Sequence, residues 1–415
     1  MKQLLVIFIF FTNTLQSQAQ NPMSLDSILS AIERNNPVVQ MYQADIRSAD
    51  EAAKGARSWS PPELGTGFWM TPYDPGLWRK SADGTNGMGQ YMITAQQMIP
   101  NKKELEANEQ YMQAGSAANK ETERAAMNEL WAAAKVYYYI WLVNEKKIKL
   151  LDENEKLLSF MIQSAELRYK NNLGKLNAYY KAKAALGKIE NQRVDIMNVI
   201  RQQRIRLNSL MNRGKDIEFD IDSSYAVKLY VAIDSSYFIG TRSDLKAIDK
   251  NIDLTYLQQN LERSKLKPQF GVRYDHMFGF GGAPMQFNLM AIVRLPSASW
   301  SAKSSKANIE GLKWKAQSYE AQKQIIINET SGEISGLLAS IDSKKKQLQL
   351  FELNIIPSLQ KNFKTTQLSY EQNTEELFEL FDAWESLNMT QLDYLDQLQA
   401  LLTMQVQMDK LLEQK

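Results

Sequence analysis

Glu379 and Asp382 stand three residues apart in a stretch with helical periodicity, so their carboxylates share one helix face. Paired carboxylates can do acid–base work, but here they lack the company that catalysis needs. The chain has one histidine, His276, no cysteine and no Ser-His-Asp set. The run Gly279-Phe280-Gly281-Gly282-Ala283 contains G-x-G-G, yet no helix follows it and no Lys-Ser/Thr pair completes a phosphate loop. Eighteen methionines supply soft thioethers of the kind that suit Cu(I). Met277 and Met290 share a strand face with polar residues, and Met88, Met92 and Met98 lie in or near another strand; methionine is also the usual filler of irregular helix contacts. No enzyme, cofactor or metal centre is expected, and by themselves the two carboxylates read as solvated surface charge.

The elements that carry these residues occur twice. Residues 24–211 and 236–412 each read as an amphipathic helix, a Pro-bounded strand, a loop, a second strand ending in Pro, and very long helical sequence. The first strand opens at Pro62-Glu63-Leu64 and again at Pro268-Gln269-Phe270, an offset of 268 − 62 = 206. The second closes at Ile99-Pro100 and again at Leu295-Pro296, an offset of 296 − 100 = 196, the difference being a longer hairpin loop in the first copy. One supersecondary module is repeated. The expected organisation is a signal peptide at 1–19 followed by a single elongated domain, 20–415, with a Ser/Asp-rich linker at 212–235.

Lys2, the apolar run Leu4 to Phe11 and Ser17-Gln18-Ala19 form a basic start, a short apolar core and a small-x-small cleavage site. Eight apolar residues span about 12 Å of a roughly 30 Å bilayer core, so this segment is no membrane anchor. Export would permit disulfides, yet there is no cysteine to form one or to carry a lipid. Forty-nine basic and 47 acidic residues nearly cancel, which argues against a nucleic-acid surface.

Strands are expected at about 63–73, 88–99, 268–278 and 285–295. In the third, Phe270, Val272, Tyr274, His276 and Phe278 share one face, with Gly271, Arg273, Asp275 and Met277 opposite; the fourth alternates in the same way. Strict alternation over nine to eleven residues with aromatic ends fits strands that have lipid on one side and water on the other. A half-buried soluble hairpin alternates too. From Lys102 to Lys170 there is no proline, about 69 residues or roughly 100 Å of helix. The second copy matches it from Ser301 to Tyr370, interrupted at Pro357. After breaks at Asn171–Gly174 and Gln372–Thr374 a second helix returns. Leu377, Leu380, Trp384, Leu387, Gln391, Tyr394, Leu398, Leu401, Gln405, Met408 and Leu412 alternate spacings of three and four, the period of left-handed helix packing.

In order, these features resemble the TolC-like outer-membrane factors, the outer membrane efflux protein family, and within it the shorter heavy-metal-efflux (CusC/CzcC-like) branch. Leu25 to Pro37 (L-D-S-I-L-S-A-I-E-R-N-N-P) resembles the family's opening helix, and Arg168 to Gly174 (R-Y-K-N-N-L-G) its first helical tip, with the Gly displaced by one or two positions. Ile355-Ile356-Pro357, with Pro357 thirteen residues before Tyr370 (370 − 357 = 13), resembles the proline ahead of the second tip, and Tyr370 to Asp382 that tip itself. The resemblance implies an α+β membrane protein and a homotrimer. Four strands per chain would build a shared twelve-stranded outer-membrane β-barrel, continued by a periplasmic α-helical coiled-coil barrel. It implies a passive duct in a tripartite efflux system of a Gram-negative outer membrane. Its partners would be outer-membrane lipid, a periplasmic adaptor (membrane fusion protein) and an inner-membrane pump of the resistance-nodulation-division type. It matches Glu379 and Asp382 to acids that narrow the closed periplasmic end. It also matches Asn172, Leu173, Gly174 and Lys175, with Asn373, Thr374 and Glu375, to the tips that meet the adaptor. The chain departs from the family where a Gly and an Arg are common, at Asn373 and Glu375, so adaptor recognition there is expected to differ. The same fold serves type I protein secretion, and a structural coiled-coil protein without transport activity is the alternative of another class.

Overall fold

The computed structural model describes residues 22–171, 176–230, 235–296 and 298–415. The expected signal segment, 1–19, lies outside them. The first helix, α1 (Leu25–Asn35), starts where Ser24 Oγ accepts the Ser27 N–H at 3.2 Å. It ends where Pro37 forces the preceding residue out of helical geometry, and α2 (Pro37–Lys54) begins on that proline. Then come β1 (Glu63–Trp69), β2 (Gln90–Ile99), α3 (Lys102–Lys170) and α4 (Leu176–Leu210). The order repeats as α5 (Ser235–Thr241), α6 (Ser243–Lys265), β3 (Gln269–Gly279), β4 (Gln286–Arg294), α7 (Lys303–Leu350), α8 (Ile356–Glu371) and α9 (Leu377–Leu411). A π-helical turn, Phe351–Ile355, joins α7 to α8. No described helix is long and apolar enough to cross a membrane, a statement that leaves strands untouched.

The chain divides into two compact units, each assembled from three separated segments. One comprises Pro37–Leu130, Tyr230–Ser340 and Gln407–Lys415. It holds the sheet, which is antiparallel throughout in the order β1-β2-β3-β4. β1 stops at Trp69 because Met70 turns to φ 47, and β2 begins only after Gly89 at φ 97. Between them, Trp78 donates its indole N–H to the Pro72 carbonyl at 2.8 Å and stacks on Phe280, ring centroids 5.4 Å apart. Phe280 belongs to the β3–β4 turn, so the two hairpin loops pack on one another. The Gly87 N–H donates to the Gly281 carbonyl at 3.0 Å, and the Phe280 N–H to the Gly89 carbonyl at 3.1 Å. The G-x-G-G run therefore serves close backbone approach: Gly281 lies at φ 57, and a Cβ there would meet Gly87 Cα at 2.6 Å.

The other unit takes the chain up to Asn36, Trp131–Leu229 and Ile341–Val406. Ile28, Leu29 and Ile32 of α1 are fully buried, and Asn36 Nδ2 donates to the Leu210 carbonyl at 2.8 Å. After α4 the chain is a packed strap. Met23 and Ile221 form a parallel bridge, Phe219 is buried edge-on against Trp141, and the Lys228 carbonyl accepts from Lys345 Nζ at 2.7 Å and Gln405 Nε2 at 3.0 Å. Of the eleven residues in the three-four repeat of α9 and its end, all but Gln391 and Tyr394 are buried.

A methyl group at Gly87 would stand 2.2 Å from the Trp78 carbonyl oxygen. Gly87→Ala is expected to part the two hairpin loops, cost about 1–3 kcal/mol and open residues 70–89 to protease. Gly67→Ala, with nothing within 4 Å of the added carbon, should leave the digestion pattern unchanged. Limited proteolysis of the two variants side by side checks this.

Candidate functional site

Two surfaces concentrate the chain's unusual chemistry. The first is one face of the sheet. Register sets Leu64, Thr66 and Phe68 of β1 opposite Ala95, Ile93 and Tyr91 of β2. It sets Ile99, Gln97, Ala95, Ile93 and Tyr91 opposite Phe270, Val272, Tyr274, His276 and Phe278 of β3, with Gln97 a polar exception. It then sets Phe270, Val272, Tyr274 and His276 opposite Val293, Ala291, Leu289 and Phe287 of β4. Cross-strand partners point to the same side, so the apolar sets of all four strands coincide. They are solvent-facing in the single chain: Phe287 is 67% and Leu289 68% exposed, and Leu64, Phe68, Phe270 and Val293 are exposed as well. A water-soluble surface rarely carries such a patch. The opposite face is polar and carries the expected Arg273, Asp275 and Met277. Asp275, 2% exposed, accepts from Thr94 Oγ1 and Arg273 Nε, both at 2.8 Å, so its buried charge is paired. Among the described residues β1 and β4 each have a single strand neighbour, which leaves a row of backbone donors and acceptors bare on two edges.

The second surface surrounds the break between α8 and α9. Asn373 sits at φ 60, in the left-handed region, its N–H donating to the Tyr370 carbonyl at 3.1 Å. The Thr374 N–H and Oγ1 donate to the Ser369 carbonyl at 2.9 and 3.0 Å. Glycine is the default residue for such a position and asparagine the next, so Asn373 can hold the turn that the break requires. Arg168, on the last turn of α3, donates to the Tyr370 carbonyl at 3.1 Å and to Asn373 Oδ1, with its guanidinium 4.1 Å from the Tyr370 ring centroid. Tyr370 is 2% exposed, and its hydroxyl lies 2.8 Å from Ser164 Oγ. Below the break, Leu158 and Met161 of α3, Phe363 of α8 and Leu380, Phe381 and Trp384 of α9 share one buried cluster. Trp384 donates its indole N–H to Asn154 Oδ1 at 2.6 Å, both residues being buried.

Glu379 and Asp382 stand outside this cluster and are exposed. They differ in their surroundings. Asp382 Oδ1 is 2.6 Å from Lys181 Nζ of α4, and that ammonium lies 3.8 Å from the Phe378 ring centroid and 4.3 Å from that of Phe381. Glu379 has no ion pair or side-chain hydrogen bond among the described residues. Thr374 and Glu375 are exposed beside Asn373. Asn172, Leu173, Gly174 and Lys175 lie outside the described residues. No group of three or more His, Cys, Asp or Glu side chains placed to hold a metal occurs among the described residues. Arg168, Lys181 and Asn154 were not singled out as functional from the sequence. Arg168 had a signal, its place in the R-Y-K-N-N-L-G run; Lys181 and Asn154 had none, since their partners lie some two hundred residues away.

Residues 28–213 match the model of the outer membrane efflux protein family. No protein of curated function matches the chain in sequence. Among solved structures, the chain is similar to the outer-membrane channel OprN at a TM-score of 0.76 and 13% identity, covering 94% of this chain and 90% of that one. It is similar to CusC, a protein that undergoes conformational changes on folding and transmembrane channel formation, at 0.74 and 15%, covering 94% and 91%. It is similar to the outer membrane protein VceC of Vibrio cholerae at 0.71 and 16%, covering 94% and 95%. The fold is that of the outer-membrane channels: mostly helix, with a small antiparallel sheet of four strands. Family and neighbours are conduits rather than enzymes, as the residue inventory led one to expect.

At position 373, Gly keeps the left-handed turn and loses only the acceptor for Arg168, whereas Val loses both. Asn373→Val is expected to be less stable than Asn373→Gly by about 1–2 kcal/mol, read from thermal unfolding. Equal midpoints would mean that the backbone at 373 relaxes out of the left-handed region at no cost.

Proposed function

We propose that this chain is the outer-membrane channel of a tripartite efflux system, a passive duct that carries substrates from a periplasmic pump–adaptor complex to the exterior. The observation that carries the reading is the sheet. Its four strands present one largely apolar face, interrupted by Thr66, Gln97 and His276, and two bare edges, in a chain whose residues 28–213 match the outer membrane efflux protein family. Lipid tolerates no open strand edge, and four strands cannot close a barrel that encloses water. A threefold homotrimer supplies 3 × 4 = 12 strands and pairs every edge, within the range of outer-membrane barrels. A structural coiled-coil protein would have no use for such a face.

In this reading residues 1–19 are the export signal. Residues 24–211 and 236–412 are two copies of one module in a single domain, and each chain gives two helical hairpins to a periplasmic coiled-coil barrel. The breaks at Asn172–Lys175 and Asn373–Glu375 are the ends that meet the adaptor. Glu379 and Asp382 lie at the gate, where three copies converge on an axis and favour cations over anions. Their environments divide the labour: Lys181 neutralises Asp382 within each chain, so Glu379 supplies most of the ring's field. Metal cations are the substrate class that this charge suits.

Native mass measurement in detergent is expected to give three chains; a stable water-soluble monomer would sink the reading. In planar bilayers, Glu379→Gln with Asp382→Asn should lower cation selectivity roughly fivefold, as about 1 kcal/mol of lost attraction would, and relieve block by divalent cations. Lys181→Met, which unmasks Asp382, should move selectivity the other way. Trimers of both variants that behave like the parent would leave these carboxylates as solvated surface.

A further inference from the structure

Helix α7 does not run straight into α8. Pro357 has no N–H, so the Leu353 carbonyl, four residues back, loses its usual α-helical donor. The backbone widens there: the Ile356 N–H donates to the Phe351 carbonyl, five residues back, and Phe351–Ile355 form a π-helical turn. Leu353 is 74% exposed, so its side chain does not anchor the turn within the chain. Either side of it is anchored differently. Ahead of the turn, Lys345 Nζ donates to the Lys228 carbonyl of the strap at 2.7 Å and Lys344 Nζ to Gln397 Oε1 at 2.6 Å. Beyond it, Ile356, Leu359, Phe363 and Tyr370 of α8 pack into the cluster beneath the helical break, where Arg168 grips Tyr370.

Tyr394 of α9 reaches the turn itself. The Tyr394 hydroxyl donates to Glu352 Oε1 at 2.6 Å, and its ring meets Phe351 edge-on, centroids 6.3 Å apart. Burial first, then the bond to Glu352 and its charge, push the Tyr394 hydroxyl above its ordinary range, so it remains a donor. Tyr225 of the strap lies against the same hydroxyl, with Lys146 Nζ 5.0 Å from the Tyr225 ring centroid. Tyr394 is one of two residues in the α9 repeat that are not buried, and its polar end is used on the turn.

We propose that Phe351–Ile355 is the hinge at which α8 and the helical break move when the channel opens, and that Tyr394 is the positioning residue that latches this hinge in the unopened state through Glu352. The inference rests on the reading of the chain as a channel. A π turn is a recurrent site of functional flexure, and a helix bend needs an identifiable cause, here Pro357. A switch between discrete states needs a contact that one state makes and the other breaks, and the charged hydrogen bond from α9 onto the hinge has that character.

The test is single-channel conductance of the full chain in planar bilayers. Tyr394→Phe keeps the ring against Phe351 and removes the hydroxyl; the open fraction should rise roughly tenfold, the scale of one hydrogen bond to a charged acceptor. Glu352→Gln keeps an acceptor oxygen and should stay within about threefold of the parent, whereas Glu352→Ala should behave like Tyr394→Phe. Pro357→Ala restores the missing donor and should lower the open fraction. A purely structural role for Tyr394 would lower the unfolding temperature and leave the open fraction unmoved. A parent that forms no conducting pore removes the channel reading and the hinge with it. A conducting parent with Tyr394→Phe and Pro357→Ala trimers of the same open fraction removes the hinge alone.

Discussion

Backbone hydrogen bonding is the constraint on which the rest depends. Each strand must place its donors and acceptors somewhere, and among the described residues that demand is met for the two inner strands alone; β1 and β4 each keep one bare edge. Its side chains add a second demand, because the registers stack apolar residues of all four strands on the same face. In the proposed reading, lipid would satisfy the face and strands of further subunits the edges. One subunit of a closed barrel is the simplest object with both properties. The polar reverse face, with Arg273, Asp275 and Thr94 bonded among themselves, suits the watered side of such a wall.

The helical regions answer a different problem. Long helices with repeating apolar stripes can slide past one another by a turn at little cost, because one leucine layer resembles the next. Polar groups placed inside the stripe remove that freedom. Trp384 finds Asn154, Gln405 finds the Lys228 carbonyl, and Asn144 lies 3.4 Å from Gln399. Any one-turn slip would leave these groups buried without partners, at a cost of about 1–3 kcal/mol each. They specify register where apolar area specifies only adhesion.

At the helical break the same economy joins conformation to charge. Asn373 supplies both the left-handed turn and an acceptor for Arg168, and Arg168 in turn covers Tyr370. Lys181 is held by two aromatic rings as well as by Asp382. The exposed Glu379 is thereby the carboxylate left to act on its surroundings. The two acids look equivalent along a helix face and are unequal in space.

Much of this was legible in the sequence because it is local. Ser24 capping α1, the unbroken run from Lys102 to Lys170, the Pro37 break, four alternating strands and the apolar repeat from Leu377 all follow from backbone preferences and periods of 2, 3.5 and 3.6 that operate over a few residues. The resemblance to outer-membrane channels rested on the order of those elements, and order survives at 13–16% identity. What tertiary structure alone decided were pairings between distant residues. Nothing periodic links Lys181 with Asp382, Asn154 with Trp384, or Tyr394 with Glu352. Nor could G-x-G-G announce that its glycines exist to touch Gly87. The strap after α4, read as a plain linker, is packed because Phe219 and Ile221 find a surface made by other segments. Periodicity tells each helix or strand which side to bury, whereas a specific polar contact depends on the register between elements, and that register exists only once the chain has packed.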